Sequence, residues 1–311
     1  MAMKIGVHIG SMTHSMDDLL RIYRMADEAG LYWASVSDHL YANPLMDPST
    51  REIPCFEGIS TMAAIAATTK NIRIGCMMMC GPFRNPGLLA KAAVTIDHIS
   101  GGRVELGVGA GWFEEEFKEF GYDFPEAKVR LDMLEEQLQI LRALFDQHEV
   151  SFSGEHYRVE NAICSPKPMQ KKLRLWVGGR GPKRTPRIAA QYADGFNTPY
   201  LEPDGFADRL AVLDTACEKF GRDPATLSKT INLHFLMGCD PASVQKGRDR
   251  YNALPDSHRA GALLGDKQEA IDRIGVYRDV GAHGLNIAFR PPVDWDSYQY
   301  FLEEVAPAFK G

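Results

Sequence analysis

Two adjacent side chains that can handle protons, Asp38 and His39, follow an apolar run in the sequence YWASVSDHLY. An imidazole titrates near neutral pH and can pass a proton to a reacting centre, and a neighbouring carboxylate can fix its orientation. The same pair also suits a structural role, in which Asp38 caps a turn and His39 is a hydrogen-bonded polar lid. The functional interpretation therefore depends on whether the pair stands where a strand ends at a functional face.

A glycine-rich stretch followed by cations, GGRGPKRTPRIA at residues 178–189, has the composition of an anion-binding turn. Free backbone N–H groups and the helix dipole attract negative charge where such a turn opens a helix. The positive side chains here are Arg180, Lys183, Arg184 and Arg187. A solvated basic helix start would have the same cations, but the coincidence of glycines and cations favours a phosphate site.

The sequence GVGAGW at residues 107–112 combines three glycines with an aromatic ring. The glycines allow the backbone to approach a ligand closely. Trp112 offers a broad aromatic surface, although ordinary packing would also account for it. The G-x-G-x-G spacing, its position in the middle of the chain and the lack of a suitably placed acid about 20 residues further on argue against a dinucleotide-binding turn.

Two further runs have a structural and a functional interpretation. The sequence CMMMC at residues 76–80 could form a soft, polarizable floor under a flat aromatic ring, or it could simply pack in the core. The acids Glu114, Glu115 and Glu116, with Lys118 and Glu119, predict a solvated helix face. A pair of carboxylates of the kind used by glycosidases has no support in this pattern.

A metal site is not predicted, although His8 could in principle join Asp38 and His39 in one. No H-x-H motif follows the first apolar run, and no lysine or paired histidine stands at the ends of the fourth to sixth runs. Barrel hydrolases that hold a metal need such additional ligands.

The elements that must position these residues alternate along the chain. Apolar runs typical of buried strands lie at 4–9, 32–37, 71–79, 103–109, 173–179, 193–199, 228–238 and 284–289. Helical patterns lie at 17–30, 58–69, 88–100, 126–147, 183–192, 204–220, 242–253, 267–281 and 296–306. Eight strand–helix units predict an α/β fold, a (β/α)8 TIM barrel that forms a single domain over residues 1–311, with a doubly wound open sheet as the alternative. Residues 151–172 predict an insertion hairpin before strand five.

This architecture predicts where the motifs lie, because the active sites of such barrels are at the carboxyl ends of the strands. The pair at 38–39, the run at 76–80 and the glycine stretches at 107–112 and 178–184 all follow predicted strands. We therefore expect them to meet at one rim of the barrel.

Composition excludes several classes of protein. The chain has 311 residues, of which 45% are hydrophobic, and a net charge of −6 with no long basic block, which disfavours nucleic acid as the main partner. No run of 18 apolar residues predicts a membrane span, and the start MAMKIGVHIG lacks the features of a secretory signal. Six scattered cysteines without zinc-site spacing indicate buried, reduced thiols in a cytoplasmic protein.

Three motifs in order give the chain a resemblance to a known family. They are SDH at residues 37–39, FRNPGLLAKAAVTIDHISGGRVELGVGAGW at residues 83–112 and WVGGRGPKRTPRIAAQYADGFN at residues 176–197. The pattern resembles the luciferase-like monooxygenase superfamily, and within it the oxidoreductases that use the deazaflavin coenzyme F420. The resemblance covers residues 4 to about 200 strongly and the remainder loosely.

The resemblance implies roles for individual residues. Asp38 would touch the chromophore end of the deazaflavin, and His39 would lie beside the ring as a proton donor or substrate-polarising group. A cis peptide bond under the ring is implied at Met77–Met78. The other residues implied to contact the coenzyme are Cys80, Ala110, Gly111 and Trp112 along its length and Gly178, Gly179, Arg180, Gly181, Lys183 and Arg184 at its phosphate.

One position departs from the family pattern. The sugar-phosphate dehydrogenases of the family place an acid–base glutamate where this chain has Trp112, so glucose 6-phosphate is not the expected substrate. A bulkier or flatter organic molecule is expected instead, with hydride transfer at the deazaflavin. The family also implies a homodimer. The alternatives are an FMN-dependent monooxygenase of the same superfamily and a flavin-binding protein without turnover.

Overall fold

A computed structural model describes residues 3–9, 15–41 and 53–310 of the chain. Its strands are β1 (Lys4–Ile9), β2 (Trp33–Val36), β3 (Arg73–Cys80), β4 (Val104–Gly109), β5 (Val150–Ser153), β6 (Arg158–Ala162), β7 (Arg174–Gly178), β8 (Gly195–Pro199), β9 (Ser228–Met237), β10 (Ala262–Gly265) and β11 (Gly284–Phe289). Its helices are α1 (Met16–Glu28), α2 (Gly58–Thr68), α3 (Pro86–Ser100), α4 (Glu114–Glu119), α5 (Ala127–Asp146), α6 (Arg184–Tyr192), α7 (Pro203–Lys219), α8 (Pro241–Ala253), α9 (Lys267–Asp279) and α10 (Trp295–Tyr300).

Eight of the strands form a closed parallel barrel. The order β11–β1–β2–β3–β4–β7–β8 runs round the ring, and β9 closes it by pairing with both β8 and β11. Most residues of these strands are buried, as expected when helices cover the outside and side chains fill the inside. The predicted (β/α)8 fold is confirmed, and closure rules out the open-sheet alternative.

One strand was missing from the sequence prediction. The segment β10 pairs in parallel with the second half of β9, from Ala262 opposite His234 to Gly265 opposite Met237. The pairing of β8 with β9 ends at Pro199 opposite Asn232. The second half of β9 is therefore paired with β10 and not with β8. At the carboxyl rim of the barrel, β8 and β9 are no longer hydrogen-bonded to each other.

The insertion before the fifth barrel strand is a hairpin, as predicted. The strands β5 and β6 pair in antiparallel fashion, and Gly154 N donates to Tyr157 O over 2.9 Å at the turn. The carboxylate of Glu136 on α5 accepts from three successive backbone amides at the tip, those of residues 155–157. The hairpin tip is thereby fastened to the barrel's outer helix layer.

The helix boundaries follow local chemistry. Asn85 caps α3, accepting from Gly87 N and Leu88 N, and Gly101 ends the same helix in the left-handed conformation, with φ of 68°. Asp240 and Asp266 form capping boxes at the starts of α8 and α9. These residues mark where α3, α8 and α9 begin and where α3 ends.

All six cysteines are free thiols, four of them buried and two, Cys55 and Cys239, half-buried. Within the part of the chain that the structure describes, no helix combines the length and the apolar character that crossing a bilayer requires.

Candidate active site

The imidazole of His39, just after β2, is paired with a carboxylate from α4. Its Nδ1 lies 3.0 Å from Oε2 of Glu116 and 3.3 Å from Oε1. The side chain of Glu116 is only 2% exposed and that of His39 is 17% exposed. The prediction that the acidic run on α4 is a solvated face is therefore wrong for Glu116, because the helix turns this residue inward while Glu114 and Glu115 stay exposed.

Glu116 also holds the main chain that follows His39. Its Oε1 accepts a short hydrogen bond from Leu40 N and a longer one of 3.4 Å from Tyr41 N. The thiol of Cys55 donates to the carbonyl of His39 over 3.3 Å. These bonds place the imidazole and its backbone in one fixed arrangement at the end of β2.

Asp38 is enclosed by partners from its own chain. Its carboxylate accepts from both terminal nitrogens of Arg84 and, over 2.8 Å, from Cys80 N at the end of β3. The same guanidinium reaches Glu57 at the start of α2. A side chain at Gly58 would meet Asp38, since an added Cβ would stand 2.8 Å from Oδ1. Asp38 thus ties the end of β2 to the end of β3, and its contact with a coenzyme stays a prediction.

The end of β3 contains a cis peptide bond between Met77 and Met78, where the resemblance implied one. The glycines that face Met78 leave room for its side chain: an added Cβ would stand 2.5 Å from its sulfur at Gly107, 3.1 Å from its Cβ at Gly109 and 2.5 Å from its Cε at Gly178. The glycines of β4 therefore accommodate a side chain of this protein, whereas the sequence suggested that they approach a ligand.

Next to this strand end, Cys80, Ala110 and Gly111 lie together. Gly111 has φ of 73°, and an added Cβ there would stand 2.6 Å from the ring of Phe117 and 2.9 Å from the sulfur of Cys80. Burial, followed by the charge of Asp38, raises the pKa of the Cys80 thiol well above its usual range, so the thiol is protonated and not nucleophilic. Ala110 is half-buried beside them.

Trp112 is an exposed ring at the barrel mouth. It is 54% exposed, and its centroid lies 5.8 Å from that of His39 in an edge-on arrangement. It stacks on Phe113 at 5.3 Å, and Phe113 is buried. A large exposed aromatic beside a partly exposed imidazole offers a flat surface for a ligand.

The loop from Gly178 to Arg184, here called the glycine–cation loop, opens α6. The helix has no side-chain N-cap, and Gly179 has φ of 144°, a conformation suited to glycine. Arg209 on α7 donates to the carbonyl of Gly181 and so orients the loop. The loop therefore presents uncapped amides at a helix start, as an anion site requires.

The cations of this loop differ in their surroundings. Arg184 pairs with Asp132 and Glu135 on α5, so its charge is already compensated. Arg180 and Lys183 are exposed, and neither forms an ion pair with a carboxylate in residues 3–9, 15–41 or 53–310. The structure therefore leaves Arg180 and Lys183 as the cations available to an anion.

A second group of polar side chains lies on the same rim, and no local sequence motif predicts it. We call it the histidine–arginine cluster: Tyr200, His234, His258 and Arg290. The rings of Tyr200 and His234 stack in parallel at 4.0 Å. Burial first, and then the charge of Arg290, lower the pKa of His234 to about 3; His258 and Arg180 act in the same direction, and the main chain at His258 opposes them.

The imidazole of His234 is a buried polar group without a partner. Neither of its ring nitrogens has a well-formed hydrogen bond to the described residues. Tyr200 itself has φ of 51°, which is rare for a side chain of its size. Buried polar groups are normally paired, so unpaired ones at a barrel mouth indicate a place for a ligand. The sequence signal for the cluster is weak: Tyr200 and Arg290 follow strands, His234 lies within β9, and His258 lies in the connection between α8 and β10.

Comparison with known proteins agrees with this fold and identifies the family. The model of the luciferase-like monooxygenase family matches residues 1–274. An F420-dependent glucose-6-phosphate dehydrogenase of Microbacterium testaceum (strain StLB037) is 30% identical over 340 residues, covering 99% of this chain and 98% of the relative.

Two solved structures share the architecture. An F420-dependent secondary alcohol dehydrogenase in complex with an F420–acetone adduct is 21% identical with a TM-score of 0.86, and the match covers both chains fully. The long-chain alkane monooxygenase LadA is 14% identical with a TM-score of 0.84, over 99% of this chain and 91% of that one. At these identities the likeness is one of fold. The protein belongs to the luciferase-like monooxygenase family.

Proposed function

We propose that this protein is an oxidoreductase that uses coenzyme F420 and that His39 handles the substrate proton. The observation that carries the proposal is the pairing of His39 with a buried carboxylate on the same barrel rim as the glycine–cation loop. A relative that spans almost the whole chain is named for F420 dependence, which supports the choice of coenzyme. The deazaflavin ring, when bound, supplies the acceptor or donor of a hydride.

The residues present suit a phosphorylated coenzyme. The uncapped start of α6 offers backbone amides, and Arg180 and Lys183 bring positive charge that no carboxylate in the described ranges neutralises. We assign these two side chains and the amide of Gly181 to the phosphate; the amide of Gly179 already donates to the carbonyl of Asn197 over 3.2 Å. Arg184 orients the loop through its pairing with α5 instead of binding the phosphate directly.

On the substrate side, Nε2 is the atom of His39 that handles the proton, because Nδ1 is held by Glu116. For an alcohol, Nε2 would accept the hydroxyl proton while the carbon that bears the hydroxyl loses a hydride. For reduction of a ketone, Nε2 would return the proton to the carbonyl oxygen. The exposed ring of Trp112 beside His39, supported from behind by the buried ring of Phe113, would orient the substrate and exclude water.

For the substrate we propose a small organic molecule with an anionic group. The histidine–arginine cluster combines the cation Arg290 with an imidazole, His234, that has no well-formed hydrogen bond, so it would hold a carboxylate or phosphate. The relative's name specifies glucose 6-phosphate. Trp112 occupies the position where a glutamate is expected in sugar-phosphate dehydrogenases. We therefore propose that a flat organic portion of the substrate, and not a hexose, packs against this ring.

Coenzyme binding tests the first part of the proposal. Purified protein is titrated separately with F420 and with FMN, and fluorescence is followed. We expect saturable binding of F420 that is tighter than that of FMN. Tight FMN binding without F420 binding would instead favour a flavin-dependent monooxygenase. The family name and the similarity in fold to LadA are consistent with that alternative.

Two variants test the residue assignments. The double variant Arg180→Ala/Lys183→Ala should weaken F420 binding at least about tenfold, because two charge-assisted contacts are lost. Arg158→Ala, which removes an exposed cation paired with Glu160 on the distant hairpin, is the matched control and should bind normally. Equal dissociation constants for the double variant and the control would refute the phosphate assignment.

His39→Ala should keep coenzyme binding and lower turnover at least about tenfold. The assay is a screen of small aromatic and aliphatic alcohols and ketones with and without an anionic group. Unchanged turnover in this variant would remove His39 from the reaction.

A further inference from the structure

We propose that Glu116 is the positioning residue that sets the orientation and the tautomer of His39. This inference rests on the proposed function, since His39 is the proton-handling group there. The sequence suggested a solvated role for this acid, and no relative's name assigns it one. The geometry places its carboxylate against one nitrogen of the imidazole and against the backbone that follows it.

The hydrogen-bond pattern determines which nitrogen carries the proton. Oε1 of Glu116 accepts from the amides of Leu40 and Tyr41, and Oε2 faces Nδ1 of His39 at 3.0 Å. A carboxylate that already accepts from two amides has no hydrogen to donate. Nδ1 is therefore the donor in this pair, and the lone pair of the neutral ring is on Nε2, the nitrogen without a hydrogen bond to the described residues.

Packing keeps Glu116 in place. The next residue, Phe117, is buried and meets Phe83 at a ring distance of 4.7 Å and Phe124 at 4.9 Å. The absence of a side chain at Gly111 is what lets Phe117 sit there. The short helix is thus anchored beside the residue that faces His39, so the carboxylate has a fixed position and not one of many solvated rotamers.

Glutamine at this position makes a discriminating test. In Glu116→Gln the amide oxygen would stay at the Oε1 position, because two backbone amides need an acceptor there. The NH2 group would then face Nδ1 of His39 and donate to it. The variant should therefore invert the tautomer, with the proton on Nε2 and the lone pair on Nδ1.

The first measurement is 15N NMR of the full chain labelled at histidine, with the His39 signals assigned by comparison with His39→Ala. We expect the Nδ1–H tautomer in the unmodified protein and the Nε2–H tautomer in Glu116→Gln. Glu115→Gln, an exposed acid on the same helix, is the control and should leave the signals unchanged. An unchanged tautomer in Glu116→Gln overturns the proposal whatever the coenzyme proves to be.

The second measurement is a double-variant cycle on turnover. Glu116→Gln should lower kcat about ten- to a hundredfold with KM within about twofold, because the proton acceptor is on the wrong nitrogen. In the His39→Ala background the same change should have no further effect on kcat. A further loss in that background would show that Glu116 acts through the fold and would overturn the positioning role.

The two proposals fail in different ways. If His39→Ala turns over normally, the function proposed for His39 is refuted, and NMR still decides whether Glu116 sets the tautomer. If NMR shows the inversion but kcat of Glu116→Gln is unchanged, the tautomer has no part in the reaction and the positioning role is refuted while coenzyme dependence stands.

Discussion

Removing Arg84 from its pairing with Asp38 should be one of the most destabilising single changes near the barrel rim. The Asp38 side chain is fully buried and that of Arg84 is only 10% exposed. The two groups form a forked pair, in which Nη2 lies 2.8 Å from Oδ1 and Nη1 contacts Oδ2. Replacing Arg84 by methionine keeps most of the apolar stem and removes the charge, so Asp38 loses its counter-charge inside the protein.

The expected magnitude follows from burial. Removing one partner of a buried ion pair costs about 3–5 kcal/mol, since the other charge is left uncompensated in a medium of low dielectric. Among the described residues, the hydrogen bond from Cys80 N to Asp38 remains at 2.8 Å, and it does not neutralise the carboxylate. The double variant Asp38→Asn/Arg84→Met removes both charges and should recover part of the loss.

The assay is chemical denaturation, with the free energy of unfolding compared among the variants. The control is Lys118→Met, which breaks the exposed pair with Glu114, where the side chains are 66% and 50% exposed; no detectable change is expected there. If Arg84→Met costs no more than this control, or if the double variant is less stable than the single one, the reasoning from burial is wrong.

Two further predictions concern packing and pH. Gly178→Ala should destabilise the protein by about 1–3 kcal/mol in thermal or urea unfolding, because its Cβ would stand 2.7 Å from the carbonyl oxygen of Asn197; Gly205→Ala on α7, with no atom nearer than 3.9 Å, should be neutral or stabilising. Burial, and then the charge of His39, lower the pKa of His8 to about 4. The unfolded chain therefore binds an extra proton below about pH 6.5, and this group should reduce the free energy of unfolding by about 1.4 kcal/mol for each pH unit from there down to about pH 4. His8→Gln should flatten that part of the curve, and parallel curves for the two proteins would count against the assignment.

Local sequence patterns were enough to predict the barrel, because its strands and helix ends are each marked by a few neighbouring residues. Buried strands appear as apolar runs, and residues such as Asn85 and Gly101 mark helix ends directly. The strand β10 was not predicted, because its four residues between two helical patterns are too few to show the alternation of a strand. The rim location of His39 followed from counting strands.

Side-chain direction and long-range pairing were harder to predict. Three successive acids on a short helix look equivalent in sequence, yet only Glu116 is turned inward. Its spacing of three positions from the buried ring of Phe113 was the available signal, since residues three apart lie on the same side of a helical turn. The pairing of Arg184 with α5 joins residues about fifty positions apart, and no local pattern contains that information.

The separation of β8 from β9 at the carboxyl rim has a consequence for how this scaffold can change. Each half of β9 has its own backbone partner on that edge, β8 up to Asn232 and β10 from His234 onward. We therefore expect the segment from α8 to β10 to be replaceable, and its exchange to change the rim around Tyr200 and His234 while the pairings of β9 with β8 and β11 stay in place. Directed diversification of substrate range in this protein should begin with that segment and leave the strand ends that bear His39 and Gly178 untouched.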